Sequence, residues 1–334
     1  MNALAQSGPS YSKMACEPAE RCALCGGKGV LLHSGLKDYL FGFEGSWNIR
    51  ECVEEKCGLF WIDPIPVQSE LWKVYRNYYT HPGGTPQKVS RNRFRRWAYS
   101  LYDFTVGLTP IARQRRELKY MFLDSGKPGR LLEIGCGDGS RLALFRDAGW
   151  AVEGVEVDAE AAKFASERHR IPVRHGELHS LRYTDGHFDA VIMNHVLEHV
   201  YDPIALLTEC FRLVRSGGSI ISVTPNSNSF GYSQFKQYWI GLDPPRHLHV
   251  FNSQNLLRLV ENIPARRREV WTSAANAELI CGWSLRTWDE QQNQKRFLTR
   301  LPRMISVAIL QYAAAFRHFV DRSSGEECIL RLVK

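Results

Sequence analysis

The sequence contains no run of 18 uninterrupted apolar residues, and its first positions, MNALAQSGPSYSKMACEPAER, lack the apolar core of a secretion signal. Such a chain is expected to be cytoplasmic. Acidic residues are in deficit, 35 Asp and Glu against 43 Lys and Arg, for a formal charge of +8. The basic residues gather in Lys88–Lys119 and Arg266–Arg322. They imply either an anionic partner (a phosphorylated substrate, nucleic acid or a membrane face) or only solvated helix faces. Regular cysteine spacing is also missing. Nine cysteines at irregular intervals, in a reducing compartment, argue for thiols and metal ligation rather than disulfides. No G-x-G-x-x-G dinucleotide fingerprint is found. What is present is a 334-residue chain, 44% hydrophobic. That is enough for about two domains and a large core.

The chain is organised around Arg130–Ser140, RLLEIGCGDGS. Leu131, Leu132 and Ile134 read as a buried strand. Gly135, Gly137 and Gly139 follow at alternate positions and let a ligand touch bare backbone. A helical pattern starts at once, completing a nucleotide-sized cradle. About twenty residues on, Glu156 ends a second strand, where an acidic side chain meets ribose hydroxyls.

LLEIGCGDG with GVEVD resembles the class I S-adenosylmethionine-dependent methyltransferases, of ubiquinone-pathway and methyltransferase type 11/23 character. FDAVIMNHVLEHVYDP and LVRSGGSIISVTPN continue the resemblance in the same order, over roughly residues 127–262. It implies an α/β fold: a Rossmann-like, seven-stranded, doubly wound sheet with helical insertions. It also implies S-adenosylmethionine as cofactor. Gly135, Gly137 and Gly139 then carry its methionyl part, Glu133 and Asp138 hold the amino group, and Glu156 takes the ribose. Glu177 and Leu178 flank adenine, and Asn194 closes the cofactor side of strand four. Cys136 reads as a small loop residue.

Ahead of this core lies Cys22-Ala-Leu-Cys25-Gly26-Gly27, a knuckle turn, and a second pair, Cys52 and Cys57. Strand-like runs separate them (Val30–Leu32, Trp47–Ile49). Two knuckles on two hairpins place four thiolates around zinc, with Cys16 or His33 able to replace one. Four protein ligands make the ion structural, and it supplies folding energy to a module with little core. Several methyltransferase families carry such a cysteine-rich module, and residues 21–82 resemble one.

Residues 1–20 are expected to be disordered. Leu71–Tyr79 reads as a short aromatic helix; Tyr78, Tyr79 and His81 seal one domain against the next or wall a pocket. Residues 83–125 form a helical cap: Ser90–Leu123 is helix with Phe94, Trp97, Leu101, Ile111, Leu118 and Phe122 buried, split at Pro110. In similar enzymes this stretch covers the cofactor. The methyltransferase domain occupies 126–334. Strands are expected at Arg130–Ile134, Ala151–Glu156, Pro172–Arg174, Phe188–Asn194 and Ser219–Thr224, alternating with helices at Ser140–Ala148, Ala159–Arg168 and Ile204–Val214. Residues 225–252 are read as an ordered lid. Ser253–Val260 is helical, Glu269–Ser273 a strand, 274–322 a helical insert. Glu326–Val333 is the last strand, antiparallel in the family.

Strand four runs into Asn194-His195-Val196-Leu197-Glu198-His199. The H-x-x-E-H pattern matches an inverted zinc-protease motif, which belongs inside a helix and not at a strand exit. The segment also resembles the E-x-x-E-H of ubiquinone-pathway O-methyltransferases, which binds a divalent cation; His195 here replaces the first carboxylate. His195 or His199 is then a candidate general base. Alternatively, His199 and Glu198 only bond backbone at the helix start. His247 and His249 point the same way if extended, so that one reaches the substrate, and Arg246 offers its fork to an anionic group. The other reading is a loop packed by its own side chains. Ile305, Ala308, Ile309, Tyr312, Phe316 and Phe319 share a helical face flanked by Arg300, Arg303, Arg317 and Arg322. That is either a peripheral membrane contact through 300–322 or a helix packed on its own domain.

These readings lead to a methyltransferase acting on a small-molecule acceptor, anionic if the basic charge is any guide, by O-methylation in a biosynthetic pathway. Sugar C-methylation, RNA methylation and a non-catalytic cofactor-binding scaffold are the alternatives. No [ND]-P-P-[YF] motif follows strand four, so nucleic-acid bases are disfavoured as acceptors.

Overall fold

A computed structural model of the chain describes residues 14–75, 93–123, 128–292 and 301–334. Tyr78, Tyr79 and His81, most of the expected disordered tail, and the side chains of Phe94 and Trp97 lie outside the described residues.

Strands β6 (Arg130–Ile134), β7 (Ala151–Glu156), β8 (Val173–His175), β9 (Phe188–Asn194), β10 (Val214–Pro225), β12 (Arg267–Ser273) and β13 (Glu327–Val333) form one sheet. Its order is β12-β13-β10-β9-β6-β7-β8. Five central strands run parallel, and β13 lies antiparallel between β10 and β12. Leu131, Leu132, Val191, Ile192 and Ile221 are fully buried. Apolar side chains buried on both faces suit strands covered on both sides. Helices α3 (Ser140–Asp147), α4 (Ala159–His169), α5 (Pro203–Leu213) and α7 (Ser253–Leu259) supply the cover. From β6 the chain moves one way to β7 and β8, while β9 and β10 lie on the other side. The crevice of the fold therefore opens at the carboxyl ends of β6 and β9.

The cysteine-bearing segment is not a free-standing module. Strands β2 (Gly29–Leu36), β3 (Trp47–Cys52) and β4 (Phe60–Asp63) form a second sheet whose fourth strand, β11 (His249–Val250), comes from the expected lid. His249 pairs with Trp61 and Val250 with Phe60. Trp47, Ile49, Phe60 and Ile62 share one core with Phe235, Trp239, Leu242 and Leu248. Short strands β1 (Cys16–Glu17) and β5 (Ile65–Pro66) pair beside it. Helix α6 (Phe230–Phe235) packs with them inside the same core.

Helices α1 (Arg93–Gly107) and α2 (Pro110–Lys119) divide where expected. Pro110 occupies the first turn of α2, where its missing N–H costs nothing, and Thr109 caps it. Their place differs from the expected cap. No described residue of 93–123 lines the cleft. Val106 and Ile111 pack on Ala274 instead, and Leu118 and Met121 on Phe145. The 3-10 helix Gln68–Tyr75 covers the cleft in their stead. Helices α8 (Ala277–Gln292) and α9 (Arg303–Val320) form the helical insert. Among the described residues no helix is long and apolar enough to cross a membrane.

Candidate functional site

A cleft of about 1870 Å³ opens at the predicted crossover, far larger than most single-ligand pockets. Its floor begins at the glycine turn. Gly135, Gly137 and Gly139 have φ of +65°, +53° and +73°, left-handed values that glycine adopts without a Cβ penalty. A Cβ on Gly135 would meet Val196 Cγ2 at 2.6 Å. Glu156 reaches the turn from the end of β7. Its Oε2 accepts from the Gly137 N–H at 2.8 Å and its Oε1 from the Asp158 N–H at 3.1 Å. Burial raises this carboxyl, and the backbone donors oppose the rise. A bare main-chain floor beside a nearly buried carboxylate suits a nucleoside with a charged tail.

Glu177, Leu178 and Asn194 also line the cleft, with Gly135, Gly137 and Glu156. Asp138, Gly139 and Glu133 do not. Asp138 turns to the first turn of α3, accepting from the Ser140 N–H at 3.0 Å and its hydroxyl at 2.8 Å. Gly139 is the N-cap of α3. Glu133 lies beneath the loop, 3.2 Å from Arg141, its second oxygen without a partner among the described residues. Burial pushes its carboxyl up to about 8 against the pull of Arg141.

The histidines separate into two kinds. His195 has φ +54° and is one-third exposed to the cleft. Its Nδ1 lies 3.0 Å from Glu198 Oε1 and its Nε2 2.9 Å from Glu327 Oε1. Carboxylates only accept, so both ring nitrogens donate and the ring is an imidazolium. Burial disfavours that charge, but the hydrogen bonds and charges of Glu198 and Glu327 outweigh it and raise the ring to about 10. A ring that keeps its proton cannot serve as a base near neutrality. Glu198 is fully buried and accepts from Thr224 Oγ1 at 3.0 Å. Burial would raise it, yet the hydrogen bond and charge of His195 hold it at about 2.

His199 and His247 are of the second kind. His199 Nδ1 sits 3.0 Å from the Arg246 carbonyl and 3.1 Å from the Tyr75 hydroxyl. Burial, with His247 beside it, lowers His199 to about 4, so the ring is neutral. His247 Nδ1 donates to the Gly241 carbonyl at 2.8 Å, so its remaining ring nitrogen is Nε2. That Nε2 lies 4.0 Å from Glu198 and 3.9 Å from Asp243, beyond hydrogen-bond reach of either. Glu198, His199 and His247 offer ligand atoms within 4.8 Å of one another, so the trio can take a proton or a cation.

Two expectations about the lid are corrected. Arg246 does not face an acceptor. It is fully buried, bonded to Asp243 at 2.8 Å and to both oxygens of Asp38 at 2.7 Å, with its guanidinium over Phe41. His249 does not point with His247. It enters strand β11 and is buried. The chain turns at Asp243–His247, so alternation does not apply there.

Aromatic walls complete the cleft: Trp72 and Tyr75 from the 3-10 helix, Tyr201, and Trp239 from the lid. Its described lining carries eight Asp and Glu, among them Asp202, Asp243 and Glu327, and no Lys or Arg. Glu327 and Asn276, whose amide bonds both Glu327 oxygens at 3.1 Å, were missed in the sequence. The signal was there: two acids in the apolar strand run EECILRLV.

The four cysteines of the amino-terminal knuckles meet. Cys22 Sγ lies 3.6 Å from Cys57 Sγ and Cys25 Sγ 3.4 Å from Cys52 Sγ, with all four within 4.8 Å of one another. Zinc–thiolate bonds of about 2.3 Å put tetrahedral sulfurs about 3.8 Å apart, so the set fits one ion. Cys16 bonds the Met14 carbonyl and His33 the Tyr232 hydroxyl; neither joins the cluster.

A probable S-adenosylmethionine-dependent methyltransferase of Mycolicibacterium smegmatis is 33% identical over 153 residues, 44% of this chain and 56% of that one. A ubiquinone biosynthesis O-methyltransferase of Maricaulis maris is 34% identical over 131 residues, 37% of this chain and 52% of that protein. The chain thus spans about half the length of the curated relatives it matches. Among solved structures, a Haemonchus contortus phosphoethanolamine N-methyltransferase 2 with S-adenosyl-L-methionine aligns with a TM-score of 0.49 at 15% identity, over 92% of this chain and 68% of that one. The family described as "Methyltransferase domain" matches residues 89–263, just over half of the chain, including the glycine turn, Glu156 and the histidine segment. The chain therefore belongs to the S-adenosylmethionine-dependent methyltransferase domain family.

Proposed function

We propose that this protein methylates an oxygen of a small molecule that carries no acidic group, with His247 as general base and a structural zinc in the cysteine cluster. The observation that carries the reading is the position of His247. With Nδ1 bonded to the Gly241 carbonyl, His247 lines the same cavity as the glycine turn and Glu156. When bound, S-adenosylmethionine supplies an electrophilic methyl group on a sulfonium.

The chain's own residues do the rest. Backbone at Gly135 and Gly137 receives the charged tail, and Glu156 fixes the ribose. Trp72, Tyr75 and Trp239 exclude water and align the acceptor, and alignment carries much of the rate in a displacement of this kind. His247 Nε2 takes the acceptor's proton. The charges of Glu198 and Asp243, about 4 Å away, stabilise the imidazolium that forms. His195 stays charged between Glu198 and Glu327 and positions Glu198.

A lining with many carboxylates and no described Lys or Arg repels a phosphorylated or carboxylated acceptor. It also supports a small molecule over RNA, whose phosphates need basic partners. Relatives named as ubiquinone O-methyltransferases support oxygen as the acceptor atom.

The test is a labelled-methyl assay over neutral phenols and alcohols, each matched with a carboxylated analogue. The neutral members should be turned over and their carboxylated analogues not. His247→Ala should lower kcat by about 10²-fold or more while cofactor affinity stays unchanged. An unchanged kcat, or faster turnover of the acids, overturns the reading.

A further inference from the structure

Helix α9 is built inside out. Its sequence places Ile305, Ile309, Tyr312, Phe316 and Phe319 on one face. An amphipathic helix ordinarily turns that face to its own core. Here the inward positions hold Ser306, Gln311 and His318 beside Leu310 and Ala314. The polar groups are satisfied where they lie. Gln311 donates to the Ala274 carbonyl at 2.8 Å and accepts from the Glu278 N–H at 3.0 Å, and His318 bonds the Thr272 hydroxyl at 3.3 Å. The orientation is therefore fixed by hydrogen bonds, and the apolar face is left outside. Phe316 and Phe319 are 70% and 69% exposed.

A second helix extends the patch. The Tyr312 hydroxyl bonds Thr105 Oγ1 at 2.6 Å, which holds α1 against α9. Along α1 and its end, Leu101, Phe104 and Leu108 are exposed at helical spacing, Leu108 by 74%. Exposed apolar side chains gathered on two neighbouring helices mark an interaction site.

Charge selects the occupant. Arg303, Arg317 and Arg322 rim the face; Arg317 pairs with Asp321 at the helix end at 3.3 Å, and α9 itself contains no Asp or Glu. Arg322 stacks over Phe319, and Arg286 and Arg303 over the partly exposed Trp283 of α8. Helix α2 exposes Arg116 and Lys119, and Arg113 in an ion pair with Glu117 at 2.7 Å. Two copies meeting through this face would set arginine against arginine. Apolar side chains framed by arginine and tryptophan suit the headgroup layer of a negatively charged bilayer.

We infer that α1 and α9 together form a docking face for an anionic lipid bilayer. Trp283 lies one turn along α8 from Leu279, which lines the cleft, so docking sets the cleft mouth beside the lipid. The inference stands apart from the chemistry in the cleft, because its test reads binding alone.

The test is flotation of the full-length protein with vesicles of phosphatidylcholine, with and without phosphatidylglycerol. Binding to the anionic vesicles should exceed binding to the neutral ones and weaken at high salt. The double variant Phe316→Glu/Phe319→Glu should lose it by about tenfold or more, since each change removes an apolar anchor and adds repulsion. Phe316→Leu/Phe319→Leu should keep it, and so should Leu31→Glu, an exposed position on the cysteine-bearing sheet. Circular dichroism of every variant should match the unsubstituted chain. Equal binding by the Glu double variant, or no flotation with either vesicle, overturns the inference. So does a dimer in solution that the Glu double variant dissociates, which would assign the face to a second copy.

Discussion

Replacing Arg246 with Met should be among the most destabilising single changes in this chain. The guanidinium is fully buried and holds two carboxylates, Asp38 from the loop between β2 and β3 and Asp243 from the lid. Met keeps the apolar length but leaves both acids without their cation. Removing one partner from a buried ion pair costs about 3–5 kcal/mol. Asp38 retains three backbone donors, the N–H groups of Leu40, Phe41 and Phe43, so the lower part of that range applies, about 3–4 kcal/mol. At about 2.1 cal/mol/K per residue for unfolding entropy, a chain of this length should lose about 4–6 °C in Tm. Adding Asp38→Asn removes one of the stranded charges, so the double variant should lose less than the two singles summed. Differential scanning calorimetry of the four proteins decides it. A Tm within about 1 °C of the parent for Arg246→Met, or strict additivity, would refute the placement of Arg246 as the tie between sheet and lid.

Two further predictions concern the clamp and the metal. Folded His195 keeps its proton to about 10, against about 6.5 when unfolded, so its contribution is complete below pH 6.5 and fades as pH rises toward 10. His195→Gln should therefore lose most stability at pH 6 and progressively less toward pH 10; urea melts showing a constant gap would count against the doubly clamped imidazolium. Elemental analysis of purified protein should find one zinc per chain, lost in Cys52→Ser. Because β11 joins the same sheet as the cysteines, a chelator should also lower the Tm of the chain. Full stability with no metal present would remove the ion from the fold.

Most of the sheet was legible because its strands carry their own signals. Leu131, Leu132 and Ile134 and the run Ala190–Met193 are apolar, and strand β9 begins and ends at the expected residues. The cysteine cluster was legible for a similar reason, since knuckle spacing is local. What the sequence could not convey was long-range pairing. Nothing near His249 indicates that it pairs with Trp61, almost two hundred residues away. That pairing puts Arg246 inside the protein and swings His249 away from the cleft. His195 was misread as a base for the same reason. Glu198 is a sequence neighbour, but Glu327, which completes the clamp, arrives on the last strand. The outward face of α9 was visible as a stripe, and its direction was decided by Gln311 and His318, whose partners lie on other elements.

The central claim is that the methyl donor lies on the glycine turn with its ribose held by Glu156. Calorimetric titration of S-adenosylmethionine into the parent protein and Glu156→Ala, with Tm measured alongside, tests it most directly. The parent should bind in the micromolar range. The variant should bind about 30-fold or more weakly, the loss expected when a charged hydrogen-bond acceptor is removed from two hydroxyls. Equal affinity in a folded variant would contradict the assignment, and with it the cofactor's place in the cleft.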